Sequence, residues 1–236
     1  MHQLQRAGKH YLNSSKATKN RSIQICAIIP FYNEKDTLKK ILNDTLNYVD
    51  VIYAVDDGSD DNWAYDPHDD RVHFIIIDKN RGKGKALSLG FEAAVKNEID
   101  IIITLDADLQ HEPKYIPHLV NGLQSYDFVI GNRLNDFTGM PIQRKVSNML
   151  TSFLLSRKTG QKIIDSQCGF RAYRLEVIKN IQTNYPGFEA ESEMIIKAAK
   201  RGFKIGFVDV PTIYGNEKSK MKPFQAIFGF LRVLFS

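Results

Sequence analysis

IDIIITLDADLQ, residues 99–110, begins as a nearly continuous apolar run and ends in two carboxylates separated by one residue. An apolar segment of that length, closed by polar residues, is the pattern of a strand buried on both faces, as in a parallel sheet. Three earlier runs, at residues 23–29, 51–55 and 72–77, have the same character. Between and after them lie helical stripes: Leu87, Phe91, Ala94 and Val95 form one, and Ile116, Leu119, Val120 and Leu123 form another at i, i+3, i+4, i+7. Asn33 followed by Asp36 is expected to cap the first helix, and Pro113 suits the first turn of another. Strand and helix in alternation predict an α/β fold with a mainly parallel sheet covered by helices on both faces.

In such folds ligands bind beyond the carboxyl ends of the strands. Three polar loops fall there: Pro30-Phe31-Tyr32-Asn33-Glu34, Asp56-Asp57-Gly58-Ser59-Asp60 and Asp106-Ala107-Asp108-Leu109-Gln110. Taken singly they read as a helix cap, an acidic turn and a solvated strand end; their coincidence on one sheet edge predicts a site. In extended geometry Asp106 and Asp108 point the same way. Two close carboxylates repel unless a cation or proton sits between them. Oxygen ligands suit Mg²⁺ or Mn²⁺ and leave coordination positions for phosphate oxygens. The segment Asn80-Arg81-Gly82-Lys83-Gly84-Lys85 lacks the spacing of a phosphate loop and reads as a tight strand-to-helix turn.

The 236 residues support one sizeable core and favour a single domain. An apolar fraction of 43% and a charged fraction of 25% exclude disorder and a polytopic membrane protein. The net charge of +5 is concentrated in an opening segment with Arg6, Lys9, Lys16, Lys19 and Arg21 and no acidic residue. Residues 1–22 therefore read as a solvated basic tail without the apolar core of a signal peptide. With no basic stripe interleaved with aromatics, a nucleic-acid partner is not expected. Cys26 and Cys168 have neither metal-ligand spacing nor disulfide density, which favours a reducing compartment and buried, inert thiols. The apolar close at residues 224–235 is too short to span a bilayer as a helix. It reads as a core helix or an interfacial one, preceded by Lys218, Lys220 and Lys222. The expected organisation is thus a tail at 1–22, a catalytic domain at 23–220 and an apolar helix at 221–236.

Seven motifs in order carry a resemblance: IIPFYNE from Ile28, VDDGSDD from Val55, NRGKGKAL from Asn80, LDADLQHEP from Leu105, VIGNR from Val129, DSQCGFRAYR from Asp165 and FEAESEM from Phe188. The chain resembles family 2 glycosyltransferases of the GT-A (Rossmann-like) fold, and among them the polyprenyl-phosphate hexose synthases such as dolichol-phosphate mannose synthases. The resemblance places Pro30, Tyr32, Glu34, Val55 and Asp57 around the donor nucleoside, and Asp106, Asp108 and Gln110 on the metal and diphosphate. It turns Arg133 toward the donor phosphates and gives Arg144 and Arg171 to an anionic acceptor. The pattern departs at residues 214–220, where those synthases usually carry an Arg before Gly-x-Ser-Lys.

The implied reaction is inverting transfer of a hexose from a nucleotide-diphosphate sugar. Asp108 would hold the metal and Arg133 would stabilise the departing diphosphate. A phosphate acceptor needs only positioning, whereas a hydroxyl acceptor, such as a growing cell-surface glycan, needs a general base. Glu191 and Glu193 are the candidate bases, their plainer role being favourable charge at a helix N-terminus. Competing classes are a nucleotidyltransferase, which would want a glycine-rich loop after the first strand, and a non-catalytic sugar-nucleotide binder. The expected location is cytoplasmic, peripheral on the membrane face.

Overall fold

The computed structural model describes residues 21–64, 69–134, 141–213 and 223–236. The chain runs β1 (Ile25–Phe31), α1 (Lys35–Thr45), β2 (Val51–Asp56), β3 (Val72–Ile76), α2 (Lys83–Lys96) and β4 (Ile101–Thr104). A 3-10 turn (Pro113–Tyr115) then leads into α3 (Ile116–Gly122), β5 (Phe128–Asn132) and α4 (Ile142–Thr159). The remainder is β6 (Arg171–Arg174), α5 (Leu175–Asn180), α6 (Glu189–Lys200), β7 (Ile205–Asp209) and α7 (Pro223–Leu234).

The strands form one sheet in the order β3-β2-β1-β4-β6-β5-β7. All neighbours are parallel except at β6, which runs antiparallel to both β4 and β5. The α/β reading with a mainly parallel sheet is therefore the architecture observed. β1 and β4 are buried along their whole length, as their unbroken apolar sequence requires. β3, at the sheet edge, leaves Ile76 exposed. Strand order turns outward in opposite directions from β1 and β4, so the crevice between their carboxyl ends is the switch point where α/β sheets bind ligands.

The helices dock by the expected stripes. α2 buries Leu87, Phe91 and Ala94, and α3 buries Ile116, Leu119 and Val120 with Leu123 at its end. Each of the larger of these side chains contributes about 1.5–3 kcal/mol on burial. Pro113 opens the 3-10 turn at its first position. The expected Asn33 cap is not formed. Glu34 occupies the cap position without a side-chain bond to the helical amides, and the first of them, Lys35 N–H, donates instead to Asp61 Oδ2 at 2.8 Å. Asn33 is held away by the β2 loop, where it exchanges bonds with Asp60 (2.7 and 2.9 Å) and donates its own amide N–H to Ser59 Oγ at 2.9 Å.

At the C-terminus, α7 packs on α6 and touches α4. Val233 and Leu234 are buried while Ile227, Phe228 and Phe235 face outward, so this segment is part core and part exposed apolar surface. Among the described residues no helix is long and apolar enough to cross a membrane. Of the expected basic tail, Arg21 is described; it pairs with Asp100 at 3.0 Å. Residues 1–20 of that tail, Lys218, Lys220, Lys222 and the departing stretch at 214–220 lie outside the described residues.

Candidate active site

β4 ends at Thr104, whose Oγ donates to the Gly169 carbonyl at 2.8 Å. The chain then leaves extended geometry: residues 107–108 form a turn and Leu109 takes φ 60°. Asp106 and Asp108 are therefore not presented by a strand, as their alternation suggested, but by a loop beyond it. Asp108 Oδ1 accepts the Gln110 amide at 3.1 Å, which ties the loop to itself.

Asp106 meets a partner that sequence reasoning missed. Lys83, in the first turn of α2, places Nζ 2.7 Å from Asp106 Oδ1 and 3.4 Å from Glu191 Oε1, and Glu191 in turn lies 3.7 Å from Arg171 Nε. Charge alternates along this line, minus, plus, minus, plus. Burial alone would push the Asp106 carboxyl up, but the charge and hydrogen bond of Lys83 outweigh it and hold the group below its ordinary range, so it is ionised. Burial likewise opposes the charge on Lys83, and Asp106 and Glu191 together reverse that, holding its ammonium above the usual value. The Gly169 backbone presses into this pair. A Cβ there would sit 2.5 Å from Asp106 Oδ2 and 2.8 Å from Lys83 Nζ, so glycine is what permits the approach.

Asp57 explains how Lys83 arrives. Its two oxygens accept the amides of Arg81 (2.7 Å) and Gly82 (2.8 Å), pinning the loop that feeds α2. Gly82 has φ 97°, and a Cβ on it would meet the Pro186 carbonyl at 2.5 Å. Burial pushes the Asp57 carboxyl up against the pull of these two amides. Beside it, Asp56 accepts Trp63 Nε1 (2.8 Å) and the Ser59 amide (2.9 Å). Pro30 and Val55 are register partners buried within β1 and β2, beneath the crevice floor, while Tyr32 and Glu34 are half-exposed at its rim.

Arg133 follows β5 and forms a two-pronged pair with buried Asp165, Nε to Oδ2 at 2.8 Å and Nη2 to Oδ1 at 2.9 Å. Asn148 of α4 adds a bond of 2.7 Å to the same carboxylate. The Arg133 charge helps keep Asp106 ionised. His111, buried between them, is pushed down to about 4, first by burial and then by Arg133.

Two expectations need correction. Arg171 does not face an acceptor: it is fully buried, and its guanidinium is spent on the carbonyls of Cys168 (2.7 Å), Ser166 (2.9 Å) and Glu191 (3.1 Å). Glu193 is not beside Glu191's partners. It accepts from Thr183 Oγ1 (2.7 Å) and the Asn184 amide (2.8 Å) and pairs with Lys197 (2.8 Å), on another side of α6. Arg144 stands exposed on α4.

Among the described residues no three His, Cys, Asp or Glu side chains converge as a complete metal cage. Asp106, Asp108 and Gln110, all partly exposed in the loop after β4, carry hard oxygen donors of the type that suits Mg²⁺ or Mn²⁺ together with substrate phosphates. A carboxylate held ionised at Asp106 fits such a cation. Lys83, Asp165 and His111 were the residues overlooked. Lys83 and Asp165 stand in quoted motifs, NRGKGKAL and DSQCGFRAYR, where a charge inside an otherwise turn-like segment was the available signal.

A family model described as glycosyl transferase family 2 matches residues 26–182. UDP-N-acetylglucosamine–dolichyl-phosphate N-acetylglucosaminyltransferase of Methanococcus voltae is 32% identical over 231 residues, covering 87% of this chain and 92% of that protein. Undecaprenyl-phosphate 4-deoxy-4-formamido-L-arabinose transferase of Edwardsiella ictaluri is 36% identical over 168 residues, covering 66% of this chain and 50% of that one. In structure, glucosyl-3-phosphoglycerate synthase from Mycobacterium tuberculosis, in complex with Mn²⁺, UDP-glucose and phosphoglyceric acid, superposes with a TM-score of 0.69 at 20% identity, covering 90% of this chain and 80% of that one. This likeness shows a shared fold, the GT-A architecture.

Proposed function

The chain belongs to glycosyl transferase family 2, and from that premise we propose that it moves a hexose-type sugar from a nucleoside-diphosphate sugar to a polyprenyl phosphate, with inversion. The observation that carries the reading is the ionised Asp106, held against Lys83 at the switch-point crevice where the loops after β1, β2 and β4 converge. Polyprenyl phosphates appear in the names of two relatives, and a uridine diphosphate donor in one. UDP-sugars are therefore the first donors to test.

In this reading Tyr32 and Glu34 border the nucleoside, with Pro30 and Val55 shaping the floor and Asp57 holding the loop above it. Asp106, Asp108 and Gln110 would hold Mg²⁺ or Mn²⁺, which when bound neutralises diphosphate charge. The donor's anomeric carbon–oxygen bond breaks as the acceptor oxygen bonds to that carbon, and the nucleoside diphosphate leaves with the electron pair. Lys83 and Arg133 supply positive charge as the diphosphate charge develops. A phosphate acceptor is ionised already, so no proton is removed from it. Arg144, exposed on α4, is the proposed phosphate contact, since a guanidinium fork binds two oxygens at once.

One observation favours the second reading, a sugar hydroxyl acceptor: Glu191 lies in the crevice within 3.4 Å of Lys83, where a general base would be useful. Glu193 is too occupied elsewhere to share that role. We further propose a core unit at 23–220 and a peripheral position on the cytoplasmic membrane face, to which the exposed part of α7 contributes. The test is a panel of nucleotide sugars assayed for nucleoside diphosphate release with and without polyprenyl phosphate, before and after chelation. Release that needs both the lipid phosphate and a divalent ion is expected; robust transfer to a neutral saccharide instead would select the second reading.

A further inference from the structure

Three charged side chains are graded from the crevice inward. Asp106 keeps 31% of its side chain accessible, Lys83 14% and Glu191 9%, so the ammonium stands between an outer carboxylate and an inner one. It is bonded to the outer, Nζ to Asp106 Oδ1 at 2.7 Å, and lies 3.4 Å from the inner, Glu191 Oε1. An ammonium–carboxylate bond is ~2.8 Å long, so a shift of ~0.6 Å closes the second pair as the first opens. The Phe188 ring, 6.0 Å from Nζ, adds an attractive face beside the cation.

The arginine of the same site is held differently. Arg133 grips Asp165 with two prongs, at 2.8 and 2.9 Å, and Asn148 and the Gln167 amide add bonds to that carboxylate. A guanidinium fork fixes its partner, whereas an ammonium on a flexible four-carbon stem holds one point and can let go. Asp165, with no accessible side chain, has the fixed partner; Asp106, which solvent reaches, has the releasable one.

Two cations cannot both hold Asp106 at full strength. The ammonium takes Oδ1, and Oδ2 lies against the Gly169 backbone, where a Cβ would come within 2.5 Å of it. A divalent ion arriving from the crevice therefore meets a carboxylate whose charge is already compensated, and it repels the ammonium that compensates it.

We propose that Lys83 is a displaceable counter-ion, competing with the divalent ion for Asp106 and retreating onto Glu191 when the ion binds. This deepens the metal-assisted reading of the crevice and rests on it. Glu191 thereby acquires a task other than that of a base: it receives the ammonium, so that no buried charge is left alone.

The experiment is binding of Mn²⁺ alone to the full chain, read from the electron paramagnetic resonance signal of the unbound ion, with a melting curve for each variant. Lys83→Met is expected to tighten Mn²⁺ by ~10-fold or more, because the ion no longer has to break a charged hydrogen bond. In an Asp106→Asn background the same change should alter affinity by less than ~2-fold, since the shared carboxylate is gone. Glu191→Gln should weaken Mn²⁺ several-fold while Lys83 is present and leave it unchanged in Lys83→Met, where nothing needs to retreat. If Lys83→Met does not melt cooperatively, Lys83→Gln, which fills the space without the charge, takes its place in every arm. Unchanged or weaker binding by the folded Lys83 variant overturns the proposal. So does tightening of equal size with and without Asp106, which would make Lys83 a source of repulsion at a distance and not a competitor. An equal effect of Glu191→Gln with and without Lys83 overturns the retreat. The metal reading fails separately: no Mn²⁺ bound by any variant defeats it and the proposal together. Binding that Asp108→Asn abolishes and Lys83 does not influence defeats the proposal alone.

Discussion

The two halves of the molecule handle polarity in opposite ways. Around β1, β2 and β4 the apolar residues go inside and the polar ones converge on the crevice, each carboxylate locked to a neighbouring loop: Asp57 to the amides of Arg81 and Gly82, Asp61 to α1, Asp106 to Lys83. Around α4 the polar residues go inside and the apolar ones face out. The first arrangement prepares a fixed site for a charged, water-soluble ligand. The second leaves an apolar face exposed on a helix whose inner side is polar.

The sharpest way to break this contrast is to disarm the crevice. Asp108→Asn preserves shape while deleting a charge, and a loss of ~10²–10³ in turnover with an unchanged melting temperature is expected. Near-normal transfer by the folded variant would remove the metal role. Lys83→Met should cost a comparable ~10² in kcat and, unlike Asp108→Asn, should persist at saturating divalent ion.

His111 tests the wiring between the halves through pH. Its ordinary value is 6.5 and the folded value about 4. The unfolded chain takes up the proton first, so the stabilisation is complete above pH 6.5 and is lost as pH falls toward 4, by about 3 kcal/mol at most. Denaturant melts of His111→Asn should show a flatter profile in that window; an unaltered slope would remove His111 as its source.

Asp57→Asn leaves one buried amide facing an NH₂ group, at a cost of about 1–3 kcal/mol. Because the loop it pins delivers Lys83, a several-fold rise in donor KM should accompany a smaller change in kcat. The smallest effect separates the two glutamates. Glu193→Gln should lose about 1 kcal/mol of stability with kcat intact, whereas Glu191→Gln reports on the acceptor. With a phosphate acceptor kcat should fall less than ~10-fold, and with a hydroxyl acceptor by ~10²–10⁴.

The sequence disclosed the crevice half well because its signals are local. A continuous apolar run is a buried strand, and a polar loop follows it, which suffices for β1 to β4 and for placing Asp57, Asp106 and Asp108 in the loops beyond β2 and β4. What failed depended on direction or distance. Asp106 and Asp108 were read as one strand face, but β4 stops two residues short of Asp106. Glu191 and Glu193 look equivalent in sequence, yet two helical residues so spaced diverge by ~200°. Arg171 in a short strand next to Tyr173 gave no sign that backbone carbonyls 3 to 20 residues away would consume its donors. Lys83 pairs with a residue on a different strand's loop, which no local pattern encodes. The apolar stripe of α4 was not read from the sequence, and which side of that helix meets solvent is decided by the polar partners of its other side.

The two cysteines offer a way to watch these regions separately. Both are free and buried, Cys26 in β1 and Cys168 in the loop that presses Gly169 against Asp106, and burial pushes the Cys168 thiol up to about 12, with Cys26 raised as well. Neither supplies thiolate to an alkylating reagent while folded, so labelling proceeds only through transient opening. The rate at Cys26 then clocks global unfolding and that at Cys168 clocks loosening of the loop beneath the carboxylates. A bound donor that tightens the crevice should slow the second clock more than the first, turning two inert side chains into a kinetic gauge of occupancy.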